Sequence, residues 1–513
     1  MAVRRLGAVA AAVLGCAGRV AGQGADPTID TVIVVTHNVF EPAGRTPQFV
    51  ARLGDALHIK TRPSVVRRFL LLDQGATLDS ARLVEAERAL RELGVFRAVR
   101  LDTARTAGRL ALRAETSDGW STSPQATYSS QAGSVTWSVA MVERNLLGTA
   151  TLASVAYGKN PDRSSLDLQL KTPGLFVRRA PLEANFSHLS DGHLGAWRYG
   201  VPFYATTAPW SLEISGEAAH HRLLEFRDGV LADSAERLAL RTELAGGVAL
   251  RATSRGYLRL WGSLEWRRED IAIGAVAPTT YTKFVTAGLG IEASHVHYGV
   301  FTRLNGFGRQ EDVDLSHQLR VGLYAGVGLG PLVKGQLGVT WPSGFALLKA
   351  TGQGVIRSAG VDSGSVWGSL DLASLHAPRQ AWLFHFEAGA QRRPRFGAAF
   401  DPWASQAGPR GFGAHAFTGT RLVYAMVEDR IVVVDELWGV IGVGLAPYLE
   451  YGGAWFAGLE LPRTGGDVGM AVRLGSSRSV RGDVGEFDLS YRFGDGYTGR
   501  RWALTVRKSY ILK

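Results

Sequence analysis

The sequence predicts a mostly β protein, in which one small α+β domain precedes a C-terminal transmembrane β-barrel of antiparallel strands. Three observations support this prediction: an N-terminus typical of export, helical periodicity confined to residues 26–117, and period-two alternation from Trp120 onward. The predicted boundaries are 1–22 for a signal peptide, 26–117 for the α+β domain and 118–513 for the barrel.

The N-terminus reads "MAVRRLGAVAAAVLGCAGRVAG". Arg4 and Arg5 precede an apolar run, and small residues follow it, as in a secretory signal peptide. The only cysteine, Cys16, lies in this segment, and "VLGC" leaves acylation of Cys16 as an alternative. Without Cys16 the remaining chain has no thiol, so disulfides and cysteine-bound metals are excluded. No later segment has the run of about 18 apolar residues that a membrane helix needs.

The composition argues against a nucleic-acid partner. The net charge is +11 and the pI is about 9.8, but the basic residues are scattered and no nucleic-acid motif accompanies them. The mean hydropathy is only +0.01 and 63 residues are glycine. Such values are compatible with a membrane barrel, because alternating strands average out in hydropathy.

The α+β domain is predicted from runs of β-branched residues and from the residues that begin and end its helices. "TVIVVTHNVF" (Thr31–Phe40) is rich in β-branched residues, and "RPSVVRRFLLL" (Arg62–Leu72) suits a helix. "DSARLVEAERALRELG" has Asp79 as an N-cap, an apolar face and Gly94 as a stop, so it predicts an amphipathic helix. Two short strands follow, "FRAVRLD" and "GRLALRAETSD". The predicted order is strand, helix, helix, strand, strand.

The remaining chain alternates over nearly its whole length. In "LDLQLK" the three leucines face away from Asp167, Gln169 and Lys171, and "LRLWGSLEW" sets Leu264 and Trp266 opposite Glu265. A soluble sandwich or propeller is the alternative, but the sequence lacks blade-like repeats. An exported β protein in a bilayer must close its sheet to pair all backbone groups, which favours a barrel.

"ALHIKTRPSVVRRFLLLDQGATLDSARLVEAERALRELGVFRAVRL" (Ala56–Leu101) resembles a POTRA domain, the polypeptide-transport-associated module. "TSDGWST" (Thr116–Thr122), "ERNLLGTA" (Glu143–Ala150) and "YGVPFYATTAPWSL" (Tyr199–Leu212) resemble the first strands of the bacterial surface antigen barrel. Together they resemble the outer-membrane assembly and polypeptide-transport superfamily of BamA, TamA and the two-partner secretion transporters. This resemblance implies a barrel of about sixteen strands.

The same resemblance interprets "GPRGFGAH". In this superfamily a long extracellular loop with an Arg-Gly-aromatic tip folds back into the lumen, and partner motifs lie on neighbouring strands. Here "VEDR" matches the family's Glu-x-Arg, and "YLEYG" matches its aromatic-x-Asp-x-Gly. The implied loop-lock residues are Arg410, Gly411, Phe412, Glu428, Arg430, Tyr448, Glu450 and Gly452.

A carboxylate partner is expected for Arg410, because a buried unpaired charge is costly. Glu450 is the first candidate and Glu428 the second. A solvated Arg410 beside an ordinary lumen-facing Glu450 is the alternative. The motif also departs from the family: Pro409 stands in place of Val, Glu450 in place of Asp, there is a single POTRA module, and the C-terminal "SYILK" lacks a terminal aromatic residue.

Enzyme and metal motifs are sparse. The sequence has no G-x-S-x-G, no H-E-x-x-H and no P-loop lysine. His220, His221 and Glu225 could hold a metal, but adjacent strand residues point to opposite faces, so a strand end at the membrane interface fits better. No cofactor, metal or catalytic residue is expected.

The resemblance implies a function in the bacterial outer membrane, with the N-terminal domain in the periplasm. The implied activity is insertion of client barrels or passage of a polypeptide, without enzymatic chemistry. The implied partners are membrane lipid, unfolded or partly folded client polypeptides and accessory proteins of the periplasm. The alternatives are a passive pore or structural surface antigen and, third, a barrel enzyme that acts on lipids.

Overall fold

The computed structural model describes residues 27–39, 58–78, 80–106, 109–273, 280–307, 310–326, 328–358, 360–405, 408–437, 441–458, 461–476, 484–497 and 499–508. The predicted signal peptide with Cys16, and the C-terminal "SYILK", lie outside these residues. Within the described ranges, the helices are too short and too polar to cross a bilayer.

The N-terminal domain contains the predicted elements in the predicted order. They are β1 (Thr31–His37), α1 (Pro63–Phe69), α2 (Ser80–Glu92), β2 (Phe96–Thr106) and β3 (Arg109–Asp118). The sheet has the order β1-β3-β2, with β1 parallel and β2 antiparallel to the central strand.

The apolar face predicted for α2 packs into the core of this domain. Ala86 and Leu90 of α2 are buried against Leu112 of β3 and Val66 of α1. Gly94 has a φ of +68°, the left-handed conformation that ends a helix without steric cost. The sheet and both helices therefore share one small core.

The barrel closes on itself through antiparallel neighbours. Its strands are β4 (Thr122–Gln131), β5 (Ser134–Leu146), β6 (Thr151–Lys159), β7 (Ser164–Thr172), β8 (Leu182–Leu189), β9 (Gly192–Val201), β10 (Trp210–Arg227), β11 (Val230–Thr253), β12 (Gly256–Ile273), β13 (Thr280–His295), β16 (His317–Ala325), β17 (Leu329–Trp341), β18 (Gly344–Arg357), β19 (Gly360–Ala377), β20 (Gln380–Arg392), β21 (Arg421–Leu437), β22 (Ile441–Trp455), β23 (Gly465–Ser476), β24 (Val484–Gly494) and β25 (Trp502–Lys508). A separate hairpin, β14 (Tyr298–Thr302) with β15 (Gln310–Asp314), lies between β13 and β16.

In the described ranges the closed barrel has 20 strands, so the expectation of about sixteen is wrong. Alternation with a period of two identifies strands and their faces, but it does not specify how many hairpins close a barrel. The number sixteen came from the superfamily resemblance alone.

The outer face of the wall is apolar, as the alternation predicts. Leu264 and Trp266 of β12 are exposed on the outside, whereas Glu269 on the same strand is buried inside. The same holds for β20, where Trp382 is exposed and His385 is buried. A soluble sandwich or propeller is therefore excluded, and the apolar band fits a barrel that spans a membrane.

The N-terminal domain lies against one end of the barrel, called the near end here; the opposite end is the far end. Asn145, at the end of β5, donates to the carbonyl of Ile59 (3.0 Å) and to Thr61 Oγ1 (2.9 Å). Arg178, in the turn between β7 and β8, pairs with Asp73 at 2.9 Å. Since strands alternate in direction, residues 393–420 between β20 and β21 belong to the far end.

Candidate functional site in the barrel lumen

Residues 393–405 and 408–420 fold back into the lumen from the far end. Phe400 and Gly419 exchange backbone hydrogen bonds (2.8 and 3.0 Å), which brings the two arms of this loop together. Between the arms, "GPRGF" makes a tight turn in which the Phe412 amide donates to the Pro409 carbonyl at 3.3 Å. The turn projects Arg410, a residue that is only 1% exposed.

Arg410 is held chiefly by Glu450 of β22 and Glu428 of β21. Its Nε donates to Glu450 Oε1 at 2.8 Å, and its backbone amide donates to Glu450 Oε2 at 2.7 Å. Nη2 of the Arg410 guanidinium donates to Glu428 Oε2 at 2.8 Å. Because Glu450 engages both the side chain and the backbone of Arg410, it fixes the position of the loop as well as the charge.

Tyr448 of β22 completes the cradle. Its ring lies 3.7 Å from the Arg410 guanidinium carbon, a cation–π contact with a desolvated cation. Glu450 and Tyr448 are two residues apart on one strand, so both side chains point into the lumen.

Gly411 and Phe412 seat the tip against the wall. The Gly411 amide donates to Asp467 Oδ2 at 2.9 Å, and a Cβ at this position would lie 2.8 Å from both Asp467 Oδ2 and Ser490 Oγ. The absence of a side chain therefore permits this close approach. The Phe412 ring packs in an apolar cluster with Ala416, Phe417, Leu422 and Ala454.

Arg430 and Gly452, the last two of the predicted loop-lock residues, have different structural roles. Arg430 Nε donates to Glu428 Oε1 at 2.5 Å, so Glu428 is shared between Arg430 and Arg410. Gly452 lies opposite Tyr424 in the ladder, where a Cβ would meet the Val423 carbonyl at 2.3 Å. Its position is explained by close strand packing and not by a contact with the loop.

Several residues of the site were not predicted from the sequence. Asp488 of β24 contacts Arg410 at 3.2 Å, and Thr505 of β25 donates to the Arg410 carbonyl at 3.0 Å. Asp467, Glu486, Arg473 and Arg507 lie in the same region, through the pairs Arg473–Glu486 (3.1 Å) and Arg507–Glu486 (3.0 Å). The alternation in "EFDLSYRF" could have indicated them, since it places Glu486, Asp488, Ser490 and Arg492 on one face.

The arrangement concentrates opposite charges in a dry part of the lumen. Glu428, Asp488 and Glu486 have no exposed side-chain surface, and neither has Arg410. Taking such groups out of water is costly, so each depends on its partners. Removing one partner of a buried pair typically costs about 3–5 kcal/mol, which makes the loop position strongly determined.

A second charged contact holds the loop at the far-end rim. His415 Nδ1 lies 2.5 Å from Asp401, Nε2 lies 2.9 Å from Asp162, and the ring stacks on Phe226 at 3.5 Å. Burial alone would lower the pKa of His415, but the hydrogen bonds to Asp162 and Asp401 outweigh it and raise the pKa to about 9.

The alternative metal site is not assembled in the structure. His220 Nε2 contacts Glu236 Oε1 at 2.5 Å, and His221 follows it on β10, so the two imidazoles face opposite sides. In the part of the chain that the structure describes, no group of three or more His, Cys, Asp or Glu side chains could hold a metal ion.

Comparisons with known proteins give matches in structure. No protein-family model matches the sequence, and no curated protein matches it. CdiB from Escherichia coli aligns over 96% of this chain and 92% of its own, with a TM-score of 0.50 at 10% identity. This chain and that CdiB share a fold. The barrel fold that the resemblance implied is thereby confirmed, and the likeness concerns the fold alone.

Two further structures align over most of this chain. CdiB from Acinetobacter baumannii covers 94% of it and 74% of its own length, with a TM-score of 0.47 at 10% identity. BamA from Haemophilus ducreyi lacking POTRA domains 1–3 covers 93% and 84%, with a TM-score of 0.42 at 11% identity.

Proposed function

We propose that this protein inserts client barrels into the outer membrane or passes a polypeptide across it. In this proposal the near end faces the periplasm and the N-terminal domain acts as a POTRA domain. The partners are membrane lipid, unfolded or partly folded clients and accessory proteins of the periplasm. The mechanism needs no enzymatic chemistry.

The observation that carries the proposal is the weak closure between the first and last strands, called the seam here. Among the described residues, β25 pairs with β4 at only two positions, Thr505 with Gln131 and Val506 with Ser130. On its other side, β4 pairs with β5 at ten positions, from Thr122 to Gln131. A strand with unpaired backbone groups is a template for another strand, so the seam can receive a client strand.

The N-terminal sheet supplies a second template. In the part of the domain that the structure describes, the order is β1-β3-β2, so β1 and β2 are the edges and β3 is the strand paired on both sides. An extended client segment can add to such an edge through backbone hydrogen bonds, largely independently of its sequence. A client would thus pair first with the domain and then with the seam.

The loop that carries Arg410 stays in the lumen while a client strand pairs at the seam. Arg410 and Glu450 fasten the loop to β22, and Thr505 links the same tip to β25, one of the two seam strands. The loop therefore braces the wall next to the seam.

A cross-link across the seam tests this function. Val506→Cys with Ser130→Cys replaces a directly opposed pair, whose expected Cα separation of about 4.5–5.5 Å suits a disulfide. The probe is a small urea-unfolded outer-membrane barrel, added to liposomes that contain the protein. We expect oxidation of the pair to abolish the acceleration of probe folding, and reduction to restore it.

A matched control uses a pair that is already in a complete ladder. Thr127 and Ser138 face each other on β4 and β5, with their hydroxyl oxygens 2.6 Å apart. Oxidised Thr127→Cys with Ser138→Cys should leave the acceleration unchanged. If the oxidised seam variant still accelerates folding, the seam is not the route of entry; if the parent protein gives no acceleration and no translocation, the insertion and transport proposal fails.

A passive pore is the second candidate, and one observation favours it. The far half of the lumen contains a cavity of about 800 Å³, lined by charged residues such as Glu265, Arg267 and Arg357. A cavity with such a charged lining suits passage of small solutes. A wide, steady conductance in a planar bilayer, together with no effect on unfolded barrels, would support this function instead.

A further inference from the structure

The connection between β13 and β16 is unlike the other near-end turns. Most of those are short, such as residues 254–255, 342–343 and 378–379. This one forms its own two-stranded sheet, β14 with β15, joined by a tip whose described part is residues 303–307. The described residues 298–307 and 310–314 are called the near-end hairpin here.

The tip of the near-end hairpin is inserted into the lumen. Leu304 is fully buried with Phe345 of β18 and Leu383 of β20, and Phe307 is 3% exposed against Val432 of β21. Gly442 of β22 makes room for it, since a Cβ there would lie 2.2 Å from the Phe307 ring. The tip is thus packed against the inner face of the wall at the near end.

Two arginines of the wall bind the backbone of the hairpin tip. Arg430 Nη1 donates to the Leu304 carbonyl at 2.5 Å, and Arg473 Nη2 donates to the Asn305 carbonyl at 2.8 Å. Arg430 also holds Glu428, which in turn holds Arg410 of the far-end loop. One carboxylate therefore links the two plugs through a continuous set of charge-assisted hydrogen bonds.

The outer part of the near-end hairpin rests on α2 of the N-terminal domain. Arg91 pairs with Asp312 of β15 at 3.2 Å, and the Arg88 guanidinium lies 4.2 Å from the ring of Tyr298 on β14. Both arginines lie on the same face of α2, three residues apart. Helix α2 thus contacts the plug directly.

We propose that the near-end hairpin is an autoinhibitory plug whose seating is controlled by α2. When α2 holds β14 and β15, the tip stays in the lumen and Arg430 stays on Glu428. When α2 moves away, as on binding of a polypeptide to the N-terminal domain, the tip loosens and the hold on Arg410 weakens with it. This inference requires a membrane barrel with two plugs, and it does not require that the client be inserted or secreted.

The experiment measures how often the tip leaves the lumen. Leu304→Cys in a Cys16→Ser background places one thiol at a fully buried position of the full-length protein in liposomes. The rate of maleimide labelling then reports exposure of the tip, without any client. We expect Arg88→Ala with Arg91→Ala to raise this rate about tenfold, the effect of losing an ion pair and a cation–π contact.

A matched control removes two arginines that join the same domain to another turn. Arg178 pairs with Asp73, while Arg179 donates to the Leu70 carbonyl and lies 4.5 Å from the ring of Tyr204. Arg178→Ala with Arg179→Ala thus deletes the same number of charges, one ion pair and one cation–π contact between domain and barrel, but none to the hairpin; it leaves the pairs of Arg88 with Glu92 and Arg91 with Glu87 within α2. Its labelling rate should match that of the parent.

A second variant tests displacement of the tip without any change in the N-terminal domain. Gly442→Ala acts from the barrel wall, where its Cβ would displace Phe307, and it should also speed labelling of Leu304→Cys. Equal labelling in the α2 variant and in the Arg178 and Arg179 control would overturn the control by α2. Slow labelling in Gly442→Ala would overturn the assignment of the tip as a displaceable plug.

Discussion

The two plugs of the lumen are held by different chemistry. At the far end the plug supplies a charged side chain, Arg410, and the wall supplies carboxylates from β21, β22 and β24. At the near end the plug supplies mainly backbone carbonyls and apolar side chains, and the wall supplies arginines; the pair Arg303–Asp435 (3.3 Å) has the opposite polarity but is partly exposed.

This difference determines where each plug is vulnerable. At the far end Arg410 supplies the buried charge of the tip, so a single substitution removes a cation that Glu450, Glu428 and Asp488 all contact. The near-end hold uses carbonyls that every sequence has, so it is distributed over the shape of the tip and over Arg430 and Arg473. We therefore expect the far end to respond to one substitution more strongly than the near end.

The largest effect is expected for Arg410→Ala. Loss of the cation deprives Glu450 of the guanidinium that pairs with it and leaves Glu428 with Arg430 but not Arg410, which should reduce the free energy of unfolding by about 3–5 kcal/mol. In planar bilayers the variant should show larger and less stable conductance, because the loop no longer stays in the lumen. Arg410→Lys should be intermediate, since lysine retains the charge but lacks the planar fork.

The control for Arg410→Ala comes from the same loop. Arg395 is 62% exposed and lies 3.5 Å from Glu269, so Arg395→Ala removes a solvated charge at little cost. It should leave conductance and stability close to those of the parent. If Arg410→Ala behaves like Arg395→Ala, the loop is not fastened by this arginine.

A smaller effect is expected for Leu304→Ala at the near end. Truncation leaves a cavity beside Phe345 and Leu383 and should cost about 2–3 kcal/mol in the free energy of unfolding, measured by urea titration in micelles. Leu461→Ala is a matched control, because Leu461 is 86% exposed in a far-end turn and should change nothing. A cost for Leu304→Ala above that for Arg410→Ala would reverse the comparison between the two ends.

The sequence predicted the faces of the wall better than its assembly. Alternation correctly set Trp266 outside and Glu265 inside, because the period of a strand is a local property. The number of strands depends on closure of the whole sheet, and local alternation carries no information about that. The near-end hairpin was missed for the same reason, since "YGVFT" and "QEDVD" read like any other strands.

The site was predictable only in part, for a related reason. "RGF" and "YLEYG" nominated Arg410 and Glu450, which the structure brings within hydrogen-bonding distance. Asp488 and Thr505 reach Arg410 only because β24 and β25 curve round to meet β4. Their role depends on ring closure, which no sequence motif on these strands encodes.

The smallest effect is expected for the pH dependence of His415 at the far-end rim. Its folded-state pKa of about 9 exceeds the value of about 6.5 for an unfolded histidine. The stabilisation is therefore complete below about pH 6.5 and disappears as the pH rises through 9. Since Asp162 and Asp401 are partly exposed, solvent screening limits the effect to about 1 kcal/mol.

The measurement compares the thermal midpoints of the parent and His415→Gln between pH 6 and pH 10. Glutamine keeps a polar side chain without a titratable charge, so titration of all other groups cancels in the difference. We expect the parent to be the more stable at pH 6, and the difference to shrink to zero as the pH passes 9. A difference that is constant with pH would show that His415 stabilises the rim by stacking on Phe226 and not through its charge.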